Sequence, residues 1–323
     1  MKRLLFVAIA IALAACGDSQ DPRVLEPLTA EGFLEHLEYL ADDSLYGRGS
    51  ATEYELEAAR YVADRFEEYG LEPGAGDGYL WTFWLSGVQF QGPVSRNVIG
   101  VIPGRGELAS EWVVVGAHYD HIGYRSGGNG YEIFNGADDN ASGTAMMLEL
   151  ARYLGAIYSG TGEDANRRSI MFMAFGSEEI GLVGSNAFCA DPTVPMTDIA
   201  AMINMDMVGR LSGNRLTLNG AFSAAEWTQI IIDNNDAGLE LAWVNDALLA
   251  SDHRCFYTEQ RPMMLFHTGL HEHWHDVDDD VERINLGGMV SVGDLVLGVL
   301  HDVATAPERM EFTPAVVAPA PLH

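Results

Sequence analysis

Five apolar runs constrain the fold of this chain more than any other feature of its sequence. None of them shows the alternation of apolar and polar positions that is typical of a half-exposed strand. Strands of this kind are buried on both faces, as in a mostly parallel sheet that is covered by helices. The runs are "NVIGVIPG", "WVVVGAH", "SIMFMAFG", "AAMINMDM" and "PMMLFHTG".

Helical patterns lie before, between and after these runs. Apolar spacing and capping signals predict five helices, over residues 29–42, 52–70, 142–156, 224–236 and 286–304. The second and fourth begin at the capping boxes "TEYE" and "SAAE". The sequence thus predicts one α/β domain over residues 29–305, a three-layer α/β/α sandwich with a central, mostly parallel mixed sheet. No repeat or composition break marks a second domain.

The amino terminus has the pattern of an export signal. Lys2 and Arg3 precede an apolar run of about a dozen residues, which is too short to span a membrane. "LAAC" resembles the lipobox of bacterial lipoproteins, which implies cleavage after residue 15, a lipid on Cys16 and a location on a bacterial membrane, in the periplasm or at the cell surface. An ordinary cleaved signal is the alternative. Residues 16–28 are expected to form a tether, and the Pro/Ala-rich residues 306–323 a loose tail.

The charge of the chain excludes one class of partner. The formal net charge is −29, and removal of the signal with its two cations leaves about −31. Lys2 is the only lysine. Such an acidic protein is unsuited to nucleic acid. Cys189 and Cys255 remain for an oxidising compartment, and the sequence leaves open whether they pair.

Ionisable residues follow the apolar runs at the points where strands end. In an open α/β sheet the ligand site lies beyond the carboxyl ends of the strands, so these side chains are expected to meet in one crevice. A glycine-flanked turn that opens a helix, "NGADDNASG", adds two carboxylates. The residues are His118 and Asp120, Glu178 and Glu179, Asp206, and Asp138 and Asp139 of the turn.

Carboxylates crowded in this way repel one another unless cations neutralise them. Two divalent ions that share one bridging carboxylate would balance the charge better than one ion. Histidine and carboxylate ligands suit zinc, with cobalt or manganese as substitutes. The tract "HTGLHEHWHDVDDD" at residues 267–280 offers further histidines.

At this point the chain resembles the M28 family of metallopeptidases, the co-catalytic dizinc aminopeptidases. The resemblance covers nearly all of residues 30–304, and "GADDNASG" with the later "EE" and "NMD" is its most specific part. Further matching segments are "HLEYLADDSLYGRGS", "GAHYDHIG", "FMAFGSEEIGLVGS", "SDHRCFY" and "LHEHWHDVDDDVERIN".

The resemblance implies a role for each site residue. One zinc is bound by His118 and Asp206, the other by Glu179 and His275, and Asp139 bridges the two. The general base is Glu178, and Asp120 hydrogen-bonds the ring of His118. A cis peptide is implied between Asp139 and Asn140. The implied reaction is hydrolysis of the first residue from peptides with a free amino terminus.

Further details of the site stay open in the sequence. Some relatives carry an oxyanion-stabilising tyrosine before "SDH", whereas this chain has "NDALLASDH" there. We expect His271 and His273 on the rim, and Asp278 or Asp280 behind His275.

Two rival functions remain. Trp274 before His275 is similar to the "WH" of glutaminyl cyclases, which are single-zinc enzymes of the same fold. An inactive binding module of this fold is the other rival. A serine hydrolase is disfavoured because the chain has no G-x-S-x-G elbow.

Overall fold

The computed structural model of this chain describes residues 28–85, 95–128, 130–159, 166–246 and 249–315. Within them, one sheet has the strand order β1-β3-β7-β4-β8-β11-β9-β10, and β2 also pairs with β3. The hairpin β5–β6 stands apart. The strands are β1 (Glu72–Pro73), β2 (Leu80–Phe83), β3 (Ser95–Ile102), β4 (Trp112–His118), β5 (Tyr124–Gly127), β6 (Gly130–Ile133), β7 (Ser169–Phe175), β8 (Ile199–Met205), β9 (Arg215–Asn219), β10 (Glu240–Val244) and β11 (Met263–His267).

The centre of the sheet is parallel and its flanks are mixed. Strand β4 pairs in parallel with β7 and β8, and β8 pairs in parallel with β11. Strands β3 and β9 join this core antiparallel, through β7 and β11. All seven residues of β7 and of β8 are buried, as the unbroken apolar runs predicted. The mostly parallel mixed sheet is confirmed.

Helices cover both faces of the sheet. One face carries the larger apolar cluster, with α1, α2, α3, α5 and α7, and the other carries α4 and α6. The three-layer sandwich is therefore confirmed. The helices are α1 (Ala30–Leu40), α2 (Glu53–Glu68), α3 (Gly143–Ser159), α4 (Val183–Ala190), α5 (Glu226–Asp233), α6 (His253–Thr258) and α7 (Leu286–Thr305). Although α7 is long and apolar enough to cross a membrane, it packs against α1, α3 and α5 as a core helix.

The two predicted capping boxes have different outcomes. Thr52 caps α2 by accepting from the Glu55 backbone N–H at 3.2 Å, as predicted. The prediction of a capping box at "SAAE" is wrong. The Ser223 hydroxyl donates to the Met263 carbonyl and accepts from the Met263 backbone N–H, so it does not cap the helix. Helix α5 begins three residues later, at Glu226, without a side-chain cap.

Two features outside the sheet concern the cysteines, whose pairing the sequence left open, and the tail, which was predicted to be loose. Cys189 of α4 and Cys255 of α6 form a disulfide. The prediction of a loose tail is wrong for residues 306–315. The Thr313 backbone N–H donates to the Ser223 carbonyl at 2.8 Å, and Phe312 packs on Tyr257. Residues 1–27 and 316–323 lie outside the described residues, so the signal, the lipid on Cys16 and most of the tether stay predictions.

Candidate metal centre

The sequence-predicted site residues meet in a cleft of about 420 Å³ at the carboxyl ends of the parallel strands. Strand β4 ends at His118, the turn after β7 carries two glutamates, and Asp206 follows β8 directly. Six of the eight predicted residues line the cleft: His118, Asp139, Glu178, Glu179, Asp206 and His275. The other two, Asp120 and Asp138, do not line it and are fully buried.

The first half of the centre is formed by strand ends. Nε2 of His118 lies 3.2 Å from Oδ1 of Asp139 and 3.5 Å from Oδ1 of Asp206. Ser251 donates to Oδ2 of Asp206 at 2.6 Å. Burial acts to lower the pKa of His118, but the charges of Glu178, Asp206 and Asp139 hold it well above its ordinary value.

The second half is formed by turns and the histidine-rich tract. Nε2 of His275 lies 3.1 Å from Oδ2 of Asp139 and 3.2 Å from Oε2 of Glu179. These two hydrogen bonds raise the pKa of His275 to about 10. His275 has a φ of 55°, a left-handed conformation that is uncommon for a residue with a side chain. His121 contacts the other oxygen of Glu179, with Nδ1 to Oε1 at 2.7 Å.

Asp139 lies between the two halves and is held by its own loop. The peptide bond from Asp139 to Asn140 is cis, as the resemblance implied. The Asn140 side chain donates to the Met205 carbonyl and accepts from the Met207 backbone N–H. The loop is thereby fastened to the end of β8, beside Asp206. Trp274 donates from Nε1 to Oδ2 of Asp139 at 2.9 Å and stacks on His275.

The close approach of α3 to β8 depends on a glycine. A Cβ atom at Gly143 would lie 2.4 Å from the carbonyl oxygen of Met205, which is inside van der Waals contact. Only glycine therefore allows the Asp139 loop to begin its helix against the strand that presents Asp206.

The loop that carries Asp139 is held by the carboxylate of Asp279 and not by those of Asp278 or Asp280. Oδ2 of Asp279 accepts the backbone N–H groups of Asp138 and Asp139, at 3.0 and 3.1 Å. The expectation that Asp278 or Asp280 lies behind His275 is not met: Asp278 is exposed, and Asp280 accepts from Asn135.

Two further histidines of the tract differ from one another. His271 was predicted to lie on the rim of the cleft, but its Nε2 lies 3.2 Å from the buried Oδ2 of Asp138. His273 is only partly buried and has its Nε2 3.5 Å from the exposed Glu272. Neither histidine lines the cleft.

Asp120 holds the glutamate turn. Its carboxylate accepts the backbone N–H groups of Glu178 at 2.9 Å and Glu179 at 3.4 Å, and a hydrogen bond from Ser50. The His118 ring instead contacts the backbone carbonyl of Asp120, at 3.1 Å from Nδ1, while the nearer carboxylate oxygen is 3.8 Å away. Asp120 therefore orients His118 mainly through its main chain.

Glu178 is a carboxylate whose pKa is strongly raised. Burial raises its pKa to about 10, with the charges of Asp252, Asp206 and Glu179 adding to the rise and His118 opposing it. Asp252, from "SDH", is itself fully buried, and burial raises its pKa to about 7. A carboxyl group with so high a pKa beside ionised neighbours is a candidate for proton transfer.

These donors fit divalent cations. Two sets of nitrogen and oxygen atoms, each within 4.8 Å of one another, share Asp139: those of His118, Asp139 and Asp206, and those of His121, Asp139, Glu179 and His275. Among the described residues that line the cleft there is no lysine or arginine. The carboxylates raise the pKa values of His118 and His275, so the cleft favours positive charge.

An α/β sandwich with clustered carboxylates and histidines at its strand ends defines a class of metal-binding proteins. The chain belongs to peptidase family M28, whose sequence profile matches residues 97–300.

Known relatives share the sequence only in part, and known structures share the fold. Aminopeptidase YwaD of Bacillus subtilis is 25% identical over 237 residues, which cover 66% of this chain and 46% of the relative. The chain thus spans about half the length of this curated relative. A Zn-dependent exopeptidase from Parabacteroides distasonis superposes with a TM-score of 0.70 and 19% identity, over 86% of this chain and all of that one.

The fold alone does not select one activity. The glutaminyl cyclase of Porphyromonas gingivalis superposes with a TM-score of 0.67 and 20% identity, over 85% of this chain and 98% of that one. The function must therefore be argued from the residues of the site.

Sequence reasoning missed several residues that support the site. His121 was visible in "HYDHIG", three residues after His118. Glu55 was noted only as part of a capping box, yet it is buried and accepts hydrogen bonds from Ser95 and Ser177 just before the glutamate turn. A run of three aspartates gave no signal that singled out Asp279.

Proposed function

We propose that this chain is a zinc-dependent aminopeptidase that removes the first residue from peptides. The observation that carries the proposal is the pair of donor sets that share Asp139, with Glu178 beside them. In this proposal His118 and Asp206 would hold one zinc ion, Glu179 and His275 would hold a second, and Asp139 would serve as a ligand in both sets. The curated relative named as an aminopeptidase and the similar structure named as a Zn-dependent exopeptidase support this function.

The lining of the cleft suits the amino end of a peptide. The formal net charge of the chain is −29, which two zinc ions would offset only in part, so the protein attracts a protonated α-amine. Apolar side chains complete the wall and offer space for an aliphatic first residue: Met207, Leu249, Leu265 and Leu270. We therefore expect leucine-like first residues to be preferred over acidic ones.

The chain's own residues supply proton transfer and orientation. Bound zinc would polarise the scissile carbonyl and make water a better nucleophile at neutral pH. Glu178 accepts a proton from the attacking water and returns it to the amine that leaves. Asp120 keeps the Glu178 turn in place through two backbone hydrogen bonds. Cations in the cleft favour the ionised form of Glu178, which its carboxylate neighbours otherwise disfavour.

The proposal is tested with amides of single amino acids. We expect hydrolysis of leucinamide, little hydrolysis of glutamic acid α-amide, and none of N-acetyl-leucinamide, because the acetyl group removes the charged amine. The chelator 1,10-phenanthroline should abolish turnover, whereas the non-chelating 1,7-isomer should leave it intact. Equal hydrolysis of the acetylated amide would contradict aminopeptidase action.

The Glu178→Gln substitution tests the assignment of the base. The amide keeps the shape of the side chain but cannot accept the proton, so we expect kcat to fall about 10³-fold or more while zinc content stays unchanged. Wild-type turnover in this variant would refute the assignment.

The two rivals are separated by other readouts. A glutaminyl cyclase would convert glutaminyl peptides to their cyclic form and would carry one zinc per chain. An inactive binding module would hydrolyse none of the amides at any metal load.

A further inference from the structure

We propose that a second cavity, next to the metal centre, binds an aromatic or aliphatic side chain of the peptide on the carboxyl side of the scissile bond. This inference rests on the proposed aminopeptidase function and names a substrate feature that it does not specify. The cavity has a volume of about 330 Å³. Its lining residues include Tyr46, Ile122, Tyr124, Ile180, His121 and Glu179.

The second cavity adjoins the cleft. Glu179 lines both spaces, so one wall of the second cavity is a residue of the candidate metal centre. A peptide whose first residue fills the cleft must continue away from the centre past one of its walls. The space on the far side of Glu179 and His121 is in reach of the residues that follow the scissile bond.

Exposed apolar side chains surround this cavity. Tyr124, Ile180 and Ile122 are 42%, 54% and 39% exposed, and Tyr131 nearby is 58% exposed. Contiguous exposed apolar surface of this kind marks a binding surface more often than it serves stability. The lining of this cavity contains no lysine or arginine among the described residues. It therefore suits an apolar side chain better than a carboxylate.

Two tyrosines of the lining belong to a group of four aromatic rings, here called the tyrosine cluster. Tyr46 and Tyr124 line the cavity, and Tyr54 and Tyr131 pack against them. The Tyr46 ring stacks on Tyr54 with centroids 4.6 Å apart, and the Tyr124 and Tyr131 rings meet edge to face at 4.9 Å. Tyr46 joins the two pairs, with its centroid 5.2 Å from that of Tyr124. Tyrosine rings give large contact area with few rotatable bonds, which favours their use in binding.

The cluster is held rigid from below. Arg48 is fully buried and donates to the backbone carbonyls of Leu40, Tyr119, Asn135 and Gly136. It thus ties the segment that carries Tyr46 to the segments before and after the hairpin that carries Tyr124 and Tyr131. A Cβ at Gly47 would lie 2.2 Å from the Gly123 carbonyl oxygen, so these two segments touch directly. A surface fixed in this way loses little entropy when it binds a peptide.

The test compares four substrates with leucine at the first position: leucinamide, Leu-Gly-Gly-Gly, Leu-Phe-Gly-Gly and Leu-Gly-Phe-Gly. We expect one phenylalanine peptide to exceed Leu-Gly-Gly-Gly in kcat/KM by about tenfold, equivalent to about 1.4 kcal/mol. In Tyr124→Ala this advantage should shrink to about twofold or less, whereas leucinamide hydrolysis stays unchanged.

Matched variants separate this effect from damage to the fold. Tyr124→Phe keeps the ring and should keep the advantage. Trp243→Ala removes an aromatic side chain of similar exposure on β10 that lines neither cavity, and should leave all substrates unchanged.

Three results would overturn the proposal. They are no phenylalanine advantage in the wild type, an advantage that Tyr124→Ala preserves, or a loss in that variant that is equally large for leucinamide. Failure of the wild type to hydrolyse even leucinamide would instead refute the proposed function, and this inference with it.

Discussion

Two buried clusters of ionisable residues lie along α3, one at its amino end and one near its middle, and they differ in how their charges are balanced. At the amino end is the metal centre, where carboxylates outnumber cations. Near the middle of the helix, Glu149 accepts hydrogen bonds from Nε and Nη2 of Arg152 at 2.8 and 2.7 Å. Nε2 of His36 lies 3.5 Å from Oε1 of Glu149. In this second cluster, the charge of Glu149 is balanced by side chains of the protein.

The pKa values report the same difference. Burial acts to raise the pKa of Glu149, but hydrogen bonds from His36 and Arg152 lower it to about 2. In the cleft, burial and neighbouring carboxylates raise the pKa of Glu178 to about 10. Glu149 has an arginine of its own, whereas no arginine or lysine is among the described residues that line the cleft, which therefore favours an external cation.

The largest expected effect comes from Asp139→Ala, because this residue belongs to both donor sets. We expect the loss of at least one metal ion per chain, a lower melting temperature and a fall in kcat/KM of about 10³-fold or more. Metal analysis and thermal unfolding measure this. Asp276→Ala, which removes an exposed acid from the tract at residues 267–280, is the control. Unchanged metal content in Asp139→Ala would rule out a bridging role.

Next comes His275→Ala, which removes a donor from the second half only. We expect one zinc ion per chain to remain, bound between His118 and Asp206, with turnover greatly reduced. His273→Ala removes a histidine two residues away that does not line the cleft, and should keep both ions. Loss of metal in the control instead of in His275→Ala would reverse the assignment.

A smaller effect is expected for His121→Ala. The ring contacts Oε1 of Glu179 at 2.7 Å, so its removal leaves this carboxylate less well oriented. We expect zinc affinity at the second half to fall about 10- to 100-fold, as is usual for groups that orient a ligand. Competition titration with a chromogenic chelator measures this. Equal affinity in the variant and the wild type would mean that His121 only packs.

The smallest effect concerns stability and pH at the Glu149 cluster. Because the folded pKa of Glu149 lies below its ordinary value of 4.5, its contribution is present above about pH 4.5 and is lost as pH falls towards about 2. Urea unfolding of chelator-treated wild type and Glu149→Gln should differ most above that window and converge below it. A difference that grows on acidification would contradict the pairing.

The frame of the site could be predicted from the sequence for a simple reason. Unbroken apolar runs predict buried parallel strands, and the carboxyl ends of such strands lie at the same edge of the sheet. The residues at those ends, such as His118 and Asp206, are therefore brought together by topology alone. The turn that carries Asp139 was visible because glycines and a helix start surround it.

What the sequence did not reveal depends on irregular backbone. Which of three successive aspartates turns inward is set by loop dihedrals that have no periodicity, and Asp279 could not be separated from its neighbours. The position of His121 depends on a turn in which its N–H donates to the Arg48 carbonyl, a contact between distant segments. The short helices α4 and α6 span one or two turns each, too few for a periodic signal.

The most direct test of the difference between the two clusters is the metal content of the purified wild-type protein, measured together with leucinamide hydrolysis before and after chelation. The account predicts two zinc ions per chain, loss of hydrolysis when they are removed, and recovery when zinc is restored. One zinc ion per chain without aminopeptidase activity, or full activity in the metal-free protein, would contradict it.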